Sequence, residues 1–346
     1  MQNEKRYFAA SNSGAGFVSY FDEIFGDLDM VYIIKGGPGT GKSHFMREIA
    51  DEAEEKGFSV EYFYCSSDPL SLDGIIIEEK KIAVIDGTPP HTYDPKLPGI
   101  NGKIINLCDN WDANILYANA EKIRDIVAQK EGLYNNIYNY LAAAYRIDAE
   151  IKQINRKAVK YEKMLSAVNR LTKTWKVGTG YKKVKRPIEA MTSAGQVVYG
   201  TYMCLAKTNY IIRDRYNVAH IFIDMIMKCA EQKSLMVYYS PSHLDATEIR
   251  GIYIPELSIS FIVGERETGE ARQINMDRFV DMDIIKANKQ KNRFARRCLS
   301  SLYEGVENGF NEISELHTKL EAYYIKAMDF SRNGTIVSKI QKEIFE

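Results

Sequence analysis

Short apolar runs alternate with helical periodicity in the first third of the chain. Residues 31–34 and 82–85 are uninterrupted apolar runs, and residues 58–64 alternate between apolar and polar. Residues 45–56 carry apolar positions at helical spacing, and residues 72–77 read as a short strand or as the approach to the next strand. Continuous apolar runs are typical of buried parallel strands, which helices connect. The pattern therefore predicts an α/β domain with a parallel sheet.

A longer helical pattern begins after residue 111. Apolar residues recur at roughly helical spacing from Ile115 to Ile151, and the pattern continues to Leu171. This stretch is too long for one ordinary globular helix. We therefore predict a helical hairpin or short bundle, with a counterpart in residues 282–345.

The chain repeats itself. Residues 58–87 align with residues 235–264 without a gap, and ten of the thirty positions are identical. Further on, the offset between the two copies becomes smaller, because the first copy has eight more residues after Gly87. The sequence therefore predicts two tandem copies of one unit, each an α/β core followed by helices.

The first copy carries a glycine-rich loop between a predicted strand and a predicted helix: Gly36, Gly37, Pro38, Gly39, Thr40, Gly41, Lys42 and Ser43. This is a complete phosphate-binding loop, in which backbone N–H groups and the helix N-terminus face the anion. We expect Lys42 to reach the β- and γ-phosphates of a bound nucleotide and Ser43 to bind Mg²⁺. The predicted nucleotide-binding segment extends to His44.

Asp86 directly follows the apolar run 82–85. The carboxyl ends of strands are where α/β sheets bind ligands. We therefore predict that Asp86 is the Walker-B residue and holds Mg²⁺ together with Ser43.

Either hydrolysis or phosphoryl transfer also needs a general base. The candidates near the predicted site are Asp68, Glu78, Glu79 and His91. His91 lies in the loop of residues 88–98, which is longer than its counterpart in the second copy. Because loops at this edge commonly carry function, we assign His91 to catalysis with Lys42 and Asp86. The alternative is a structural histidine, which is the commoner role of a lone histidine.

The second copy has lost these residues. Arg-Asp-Arg-Tyr-Asn-Val-Ala-His at residues 213–220 replaces the glycine loop, and Val263 stands in the place of Asp86. The apolar positions survive, so we interpret this half as a degenerate P-loop domain with a structural or regulatory role. An anion pocket built from Arg213, Arg215 and His220 is the alternative.

These patterns divide the chain into five parts. They are a P-loop NTPase domain (1–112), a helical region (113–176), a basic linker (177–186), a degenerate P-loop-like domain (187–277) and a C-terminal helical region (278–346). The linker begins with Val-Gly-Thr-Gly, which is typical of a flexible joint.

The composition indicates a cytoplasmic protein. The net charge is zero, which gives no global attraction to nucleic acid or to a membrane. The five cysteines form no closely spaced pair, as expected in a reducing compartment. The charged start of the chain leads into no signal-type apolar core, and no stretch has transmembrane length, so we expect no membrane insertion.

Residues 152–186 are a local exception to the balanced charge. Twelve lysines and arginines stand there against one acid, Glu162. One interpretation is a site for an anionic partner such as nucleic acid or a membrane surface. The other is a solvated helix face followed by a linker, which the zero net charge of the chain favours.

Residues 35–43, 65–68 (Cys-Ser-Ser-Asp) and 86–91 (Asp-Gly-Thr-Pro-Pro-His) resemble an uncharacterised bacterial family. Its members carry two P-loop units in tandem and are usually labelled ATPase or nucleotide kinase. The resemblance covers most of the chain and implies a duplicated P-loop NTPase fold with ATP as the nucleotide. Family members commonly keep a phosphate loop and an Asp in the second unit, and this chain does not.

Three functions remain as hypotheses. The first is an Mg-ATP-dependent ATPase whose cycle moves the helical parts or the degenerate half. The second is a nucleotide or small-molecule kinase with its acceptor near residues 88–96. The third is a nucleotide-sensing adaptor that binds nucleic acid. Gly87 stands where AAA-type ATPases place Glu, and Pro90-His91 where nucleoside monophosphate kinases place Arg, so neither enzyme class fits fully.

Overall fold

The computed structural model describes residues 4–265 and 271–346, and it shows an α/β protein with two six-stranded sheets. The elements of the first half are β1 (Lys5–Phe8), β2 (Ala10–Ser13), β3 (Gly16–Ser19), α1 (Phe21–Phe25), β4 (Met30–Lys35), α2 (Lys42–Glu55), β5 (Val60–Tyr64), β6 (Leu72–Ile77), β7 (Ile82–Asp86), β8 (Gly102–Asn106), α3 (Ala113–Ala118), α4 (Ala120–Arg156) and α5 (Tyr161–Thr172). Within the described residues, none of the helices combines the length and apolarity that crossing a lipid bilayer requires.

The second half repeats this order of elements. It contains β9 (Lys182–Lys185), β10 (Glu189–Thr192), β11 (Gly195–Val198), α6 (Thr201–Leu205), β12 (Thr208–Arg213), α7 (Ala219–Gln232), β13 (Met236–Pro241), β14 (Ile249–Ile254), β15 (Ile259–Val263), β16 (Arg272–Asn275), α8 (Met282–Ala287), α9 (Lys289–Ala327) and α10 (Phe330–Phe345). The start of β9 follows the start of β1 by as many residues as the start of α7 follows the start of α2. The start of α8 follows the start of α3 by fewer residues, because the first copy has the longer loop after β7. A duplicated α/β domain gives this organisation.

The two sheets share one strand order. It is β1-β5-β6-β7-β4-β8 in the first sheet and β9-β13-β14-β15-β12-β16 in the second. β6 and β14 run antiparallel to both of their neighbours, and the remaining pairs are parallel. The predicted parallel sheet is therefore mostly parallel, and it is wrong in one antiparallel strand of each sheet. Residues 78–81, which join β6 to β7, are too few for the crossover that a parallel neighbour needs.

The inner faces of the two sheets meet in a shared core. Val31, Ile33 and Phe63 of the first sheet cluster there with Ile211 and Tyr253 of the second. Because side chains alternate along a strand, the neighbouring residues face outward into two separate helix-covered cores. The molecule is thus layered as helices, sheet, sheet and helices.

The long helices α4 and α9 pack against each other in antiparallel orientation. A Cβ added at Gly309 of α9 would lie 2.8 Å from Ile137 of α4, so the two backbones approach closely there. Asn155 near the end of α4 exchanges hydrogen bonds with Asn292 near the start of α9. We predicted a hairpin or bundle within each copy, but each copy instead supplies one long helix whose apolar stripe is covered by the other copy.

The last helix of each copy also packs on the other copy. Val337, Ile340 and Ile344 of α10 share a core with α2 and the first sheet. Met164 and Val168 of α5 share a core with α7 and the second sheet. Each half therefore completes its outer core with a helix that its twin supplies.

The predicted basic linker contains a strand. Lys182–Lys185 form β9, which pairs in parallel with β13 at the edge of the second sheet. Lysines are common on edge strands, where they discourage pairing with other chains. The second α/β unit therefore begins inside the segment that composition alone marked as a joint.

Candidate functional site

The glycine loop of residues 36–43 joins the end of β4 to the start of α2. Gly39 and Gly41 adopt φ angles of +68° and +86°, which side chains with a Cβ rarely adopt. Thr40 closes the loop by donating its hydroxyl to the Gly37 carbonyl at 2.8 Å. Lys42 is the first residue of α2, so the loop ends at a helix N-terminus.

Lys42 and Asp86 lie close together. The Lys42 Nζ donates to the Gly37 carbonyl at 2.7 Å and lies 3.5 Å from Asp86 Oδ2. Their side chains are 12% and 13% exposed. The pairing of Ile34 with Asp86 between β4 and β7 creates this proximity, because both strands end at the same edge.

One carboxylate oxygen of Asp86 accepts hydrogen bonds from the protein. Its Oδ1 accepts from the backbone amide and the hydroxyl of Thr88, at 2.9 Å and 2.5 Å. Its Oδ2 faces Lys42. Since Mg²⁺ prefers carboxylate oxygens and keeps several waters, Oδ2 is the atom of Asp86 that suits a cation or its water.

Ser43 is tied to the start of β6. Its Oγ lies 2.8 Å from Ser71 Oγ and accepts from the Leu72 amide at 3.1 Å. Within the part of the chain that the structure describes, no hydrogen bond joins Ser43 directly to Asp86. His44, at the surface of α2 with a side chain 79% exposed, pairs with Glu48 at 2.7 Å.

The second copy covers the glycine loop. Asn333 of α10 donates to the Thr40 carbonyl at 2.9 Å and accepts from Asn110 at 2.8 Å. A Cβ added at Gly37 would lie 2.7 Å from the Tyr324 ring. The end of α9 and the start of α10 therefore lie directly on the loop.

Glu321 brings a carboxylate to the same place. A Cβ added at Gly39 would lie 3.1 Å from the Glu321 Cβ. A hydrogen bond from His317 lowers the pKa of Glu321, and the Gly39 amide and the charge of Lys42 lower it further. An acidic side chain of the second copy thus lies beside the positive end of the loop.

His91 is buried beside Asp73. Its Nε2 lies 3.4 Å from Asp73 Oδ2, and its ring stacks on Phe21 and meets Phe17 edge-on. Burial raises the pKa of Asp73 to about 6. Among the described residues, the ion-pair partner of His91 is Asp73 rather than Lys42 or Asp86. Its assignment to catalysis stays a prediction.

The other candidate bases lie less favourably. Because β6 runs opposite to β7, Glu78 and Glu79 after its end lie at the sheet edge away from the glycine loop. Glu78 pairs there with Lys5 at the start of β1. Asp68 is exposed and accepts from the Leu70 amide.

In the second copy, the loop that replaces the glycine loop places a side chain of its own at the N-terminus of α7. Asp214, which follows β12 as Gly36 follows β4, accepts from the Ala219 amide at 2.6 Å and from the Tyr216 amide at 3.1 Å. Arg215 pairs with Asp277 at 3.6 Å. An anion in the alternative pocket would meet the Asp214 carboxylate, so the geometry disfavours that pocket.

Several cations of the basic segment 152–186 are paired within the fold. Lys152 contacts Asp148 and Glu248, and Arg186 contacts Glu61. Lys185 pairs with Glu23 and Lys160 with Asp281. These pairs reduce the charge that the segment offers to an anionic partner, which stays a prediction.

Sequence reasoning missed Asp73, Glu321 and Asn333. Asp73 leaves a signal, because it is a carboxylate within the otherwise apolar run 72–77. Glu321 and Asn333 leave none, since they reach the loop only through the packing of α9 and α10 on the first copy. Comparisons with protein-family models, with curated proteins and with solved structures found no match for this chain.

Proposed function

We propose that the protein is an Mg-ATP-binding P-loop NTPase with one nucleotide site, and that it hydrolyses ATP. The observation that carries the proposal is the arrangement of Lys42, which lies between the carbonyls of the glycine loop and the carboxylate of Asp86. This arrangement joins the two sequence elements that nucleoside triphosphate sites require. The resemblance to tandem P-loop proteins points the same way.

Each residue of the site has a role in the proposal. The amides of the glycine loop and the N-terminus of α2 bind the phosphates. Lys42 gives up its hydrogen bonds to the loop carbonyls and contacts the β- and γ-phosphate oxygens instead. Ser43 and Asp86 hold Mg²⁺, which when bound neutralises charge on the transferring phosphoryl group. The second copy keeps no such set, and Asp214 satisfies the amides that would otherwise face phosphate.

The cover formed by α9 and α10 gives the bound nucleotide a means of acting on the other half. Glu321 and Tyr324 lie against Gly39 and Gly37, where phosphates enter in this proposal. Triphosphate binding must then move the end of α9 away from the loop. Because α9 packs along α4, that movement reaches the helices of both copies.

The test is ATP binding by the full chain with and without Mg²⁺. Lys42→Ala is expected to weaken ATP binding about 10–100-fold, because a hydrogen bond to a charged group contributes about 1.5–3 kcal/mol. Lys163→Ala removes an exposed lysine of α5 and should bind ATP like the wild type. Equal affinity of Lys42→Ala and wild type would contradict the site.

The fate of the γ-phosphate separates the two enzymatic hypotheses. With γ-labelled ATP, release of label as inorganic phosphate supports hydrolysis. Transfer of label to a member of a nucleotide and metabolite panel would replace the proposed ATPase by a kinase.

Glu321→Gln is expected to tighten ATP binding at least about fivefold. It removes a negative charge that competes with phosphate for the loop, and two like charges about 4 Å apart cost about 1 kcal/mol even in bulk water. The measurement is the Kd of Mg-ATP for wild type, Glu321→Gln and the control Glu315→Gln, an exposed acid on the same helix. Unchanged or weaker binding by Glu321→Gln would show that Glu321 does not compete with the nucleotide.

A further inference from the structure

Three side chains with metal-binding donors meet beside the glycine loop. Cys65 follows β5, Asp73 lies on β6, and His91 lies in the loop after β7. Their donor atoms all lie within 4.8 Å of one another. Although the three residues are far apart in sequence, the strand order β5-β6-β7 brings them to one edge of the sheet.

A β-bulge directs Asp73 into this cluster. Tyr64 pairs with Leu72 and Phe63 with Gly74, so Asp73 is the extra residue between two successive pairs. Bulges re-aim side chains and are common next to functional sites. The neighbouring pair Gly74–Ile85 places Asp73 beside Asp86 on β7.

The cluster leaves polar atoms without partners. Asp73 and His91 are 3% and 6% exposed, and among the described residues neither Asp73 Oδ2 nor His91 Nδ1 has a hydrogen bond. A buried polar atom left unpaired costs about 1–3 kcal/mol. Asp73 Oδ2 faces His91 Nε2 at 3.4 Å without a hydrogen bond between them.

That spacing suits two ligands of one ion. Ligand atoms around a tetrahedral zinc lie roughly 3.3–3.8 Å apart, given metal–ligand distances of about 2.0–2.3 Å. Two further features fit a metal centre: the Ser67 amide donates to Cys65 Sγ at 3.4 Å, and Phe17 and Phe21 wall off the His91 ring. Hydrogen bonds to a ligand sulfur and an apolar shell are typical surroundings of metal sites.

The second copy places a fixed cation at the equivalent position. Ser240 pairs with Gly251 and Pro241 with Ile249, so the bulged residue there is Arg250. Arg250 is paired with the buried Glu189 at 3.3 Å, and Ser242 stands at the position of Cys65. One copy thus carries a built-in positive charge where the other carries three ligands.

We propose that Cys65, Asp73 and His91 bind one zinc-class divalent ion beside the nucleotide site. A thiolate, an imidazole and a carboxylate are the donors that zinc takes, and three protein ligands leave a fourth position for water or a substrate oxygen. The thiolate disfavours Mg²⁺, which prefers oxygen ligands, so this ion is distinct from the Mg²⁺ assigned to Ser43 and Asp86. The proposal does not depend on ATP binding.

The test uses Co²⁺ as a spectroscopic probe for zinc on the full chain after treatment with a chelator. We expect one Co²⁺ per chain, with tetrahedral d–d absorption and a thiolate-to-cobalt charge-transfer band that excess Mg²⁺ leaves in place. Cys65→Ser should abolish the charge-transfer band, whereas Cys204→Ser, which removes an exposed cysteine, should retain it. His91→Gln should weaken Co²⁺ binding at least about tenfold.

Two results would overturn the proposal. One is the absence of a charge-transfer band in the wild type, and the other is its persistence in Cys65→Ser. Circular dichroism of the metal-free variants checks that they fold, and a zinc-induced rise in Tm in the wild type but not in His91→Gln supports the site independently. Lys42→Ala should keep the Co²⁺ spectrum, so failure of nucleotide binding and failure of metal binding are separable.

Discussion

Asp86→Asn is expected to lower Mg²⁺-dependent ATP turnover on the order of 10²–10³-fold, the typical cost of removing one group that stabilises charge in a transition state. Asparagine keeps the shape of the side chain, and its oxygen can still accept from Thr88. It loses the negative Oδ2 that faces Lys42, which is the atom we assign to Mg²⁺. The measurement is phosphate release from ATP over a range of Mg²⁺ concentrations.

A matched control lies in the loop that follows β7. Asp94 is also a carboxylate near a lysine, since it lies 3.4 Å from Lys35, but its side chain is 79% exposed. Asp94→Asn should therefore keep wild-type turnover. If Asp86→Asn hydrolysed ATP at the wild-type rate with the same Mg²⁺ dependence, the assignment of Asp86 would fail even if ATP still bound.

Local signals predicted the parts of the site that lie on one continuous stretch. The glycines of residues 36–43 predicted a tight loop, and Gly39 and Gly41 adopt there the positive φ angles that need glycine. The position of Asp86 follows from the apolar run before it, because that run pairs with β4 at the same edge. The sequence also predicted the repeat. The two residue offsets that align the copies in sequence are the same offsets that separate the starts of their corresponding elements.

Long-range packing was the part that the sequence did not reveal. The helical periodicity of residues 115–171 shows that an apolar stripe must be covered, but it does not show by which partner. Ile137 of α4 finds its partners on α9, and Met164 of α5 finds its partners around α7. Asn333 and Glu321 reach the glycine loop as a result of the same exchange.

The exchange of helices gives a physical reason for a second copy without phosphate-binding residues. The first sheet needs α10 to cover its outer face, through Val337 and Ile340. The helices α9 and α10 follow β16, which is a strand of the second sheet, so the second sheet fixes where this part of the chain begins. We infer that the second copy needs its apolar positions to hold this cover, whereas it does not need a glycine loop.

Arg186→Met is expected to lower the free energy of unfolding by about 3–5 kcal/mol, because it leaves the buried Glu61 without its charge partner. Arg186 follows β9 of the second sheet, and its Nε lies 2.8 Å and 3.0 Å from the carboxylate oxygens of Glu61 on β5 of the first. The two side chains are 12% and 4% exposed. Urea unfolding of the full chain measures the loss.

The loss in Arg186→Met should also depend on pH. Burial raises the pKa of Glu61, and Arg186 opposes that rise. Without Arg186 the folded-state pKa rises further, so the folded protein binds more protons than the unfolded chain and its stability falls as pH increases. The deficit relative to the wild type should therefore be larger near pH ~8 than near pH ~5.

The double variant decides whether the cost is that of an unpaired charge. Glu61→Gln combined with Arg186→Met removes both charges and should recover most of the lost stability, because replacing a buried pair as a whole is often nearly neutral. Lys103→Met, which breaks the partly exposed pair with Glu343 at the β8 edge of the first sheet, should cost at most about 1 kcal/mol. A double variant no more stable than Arg186→Met, with no pH dependence of its deficit, would show that Arg186 joins the two halves by packing over the Phe63 ring rather than by its charge pair with Glu61.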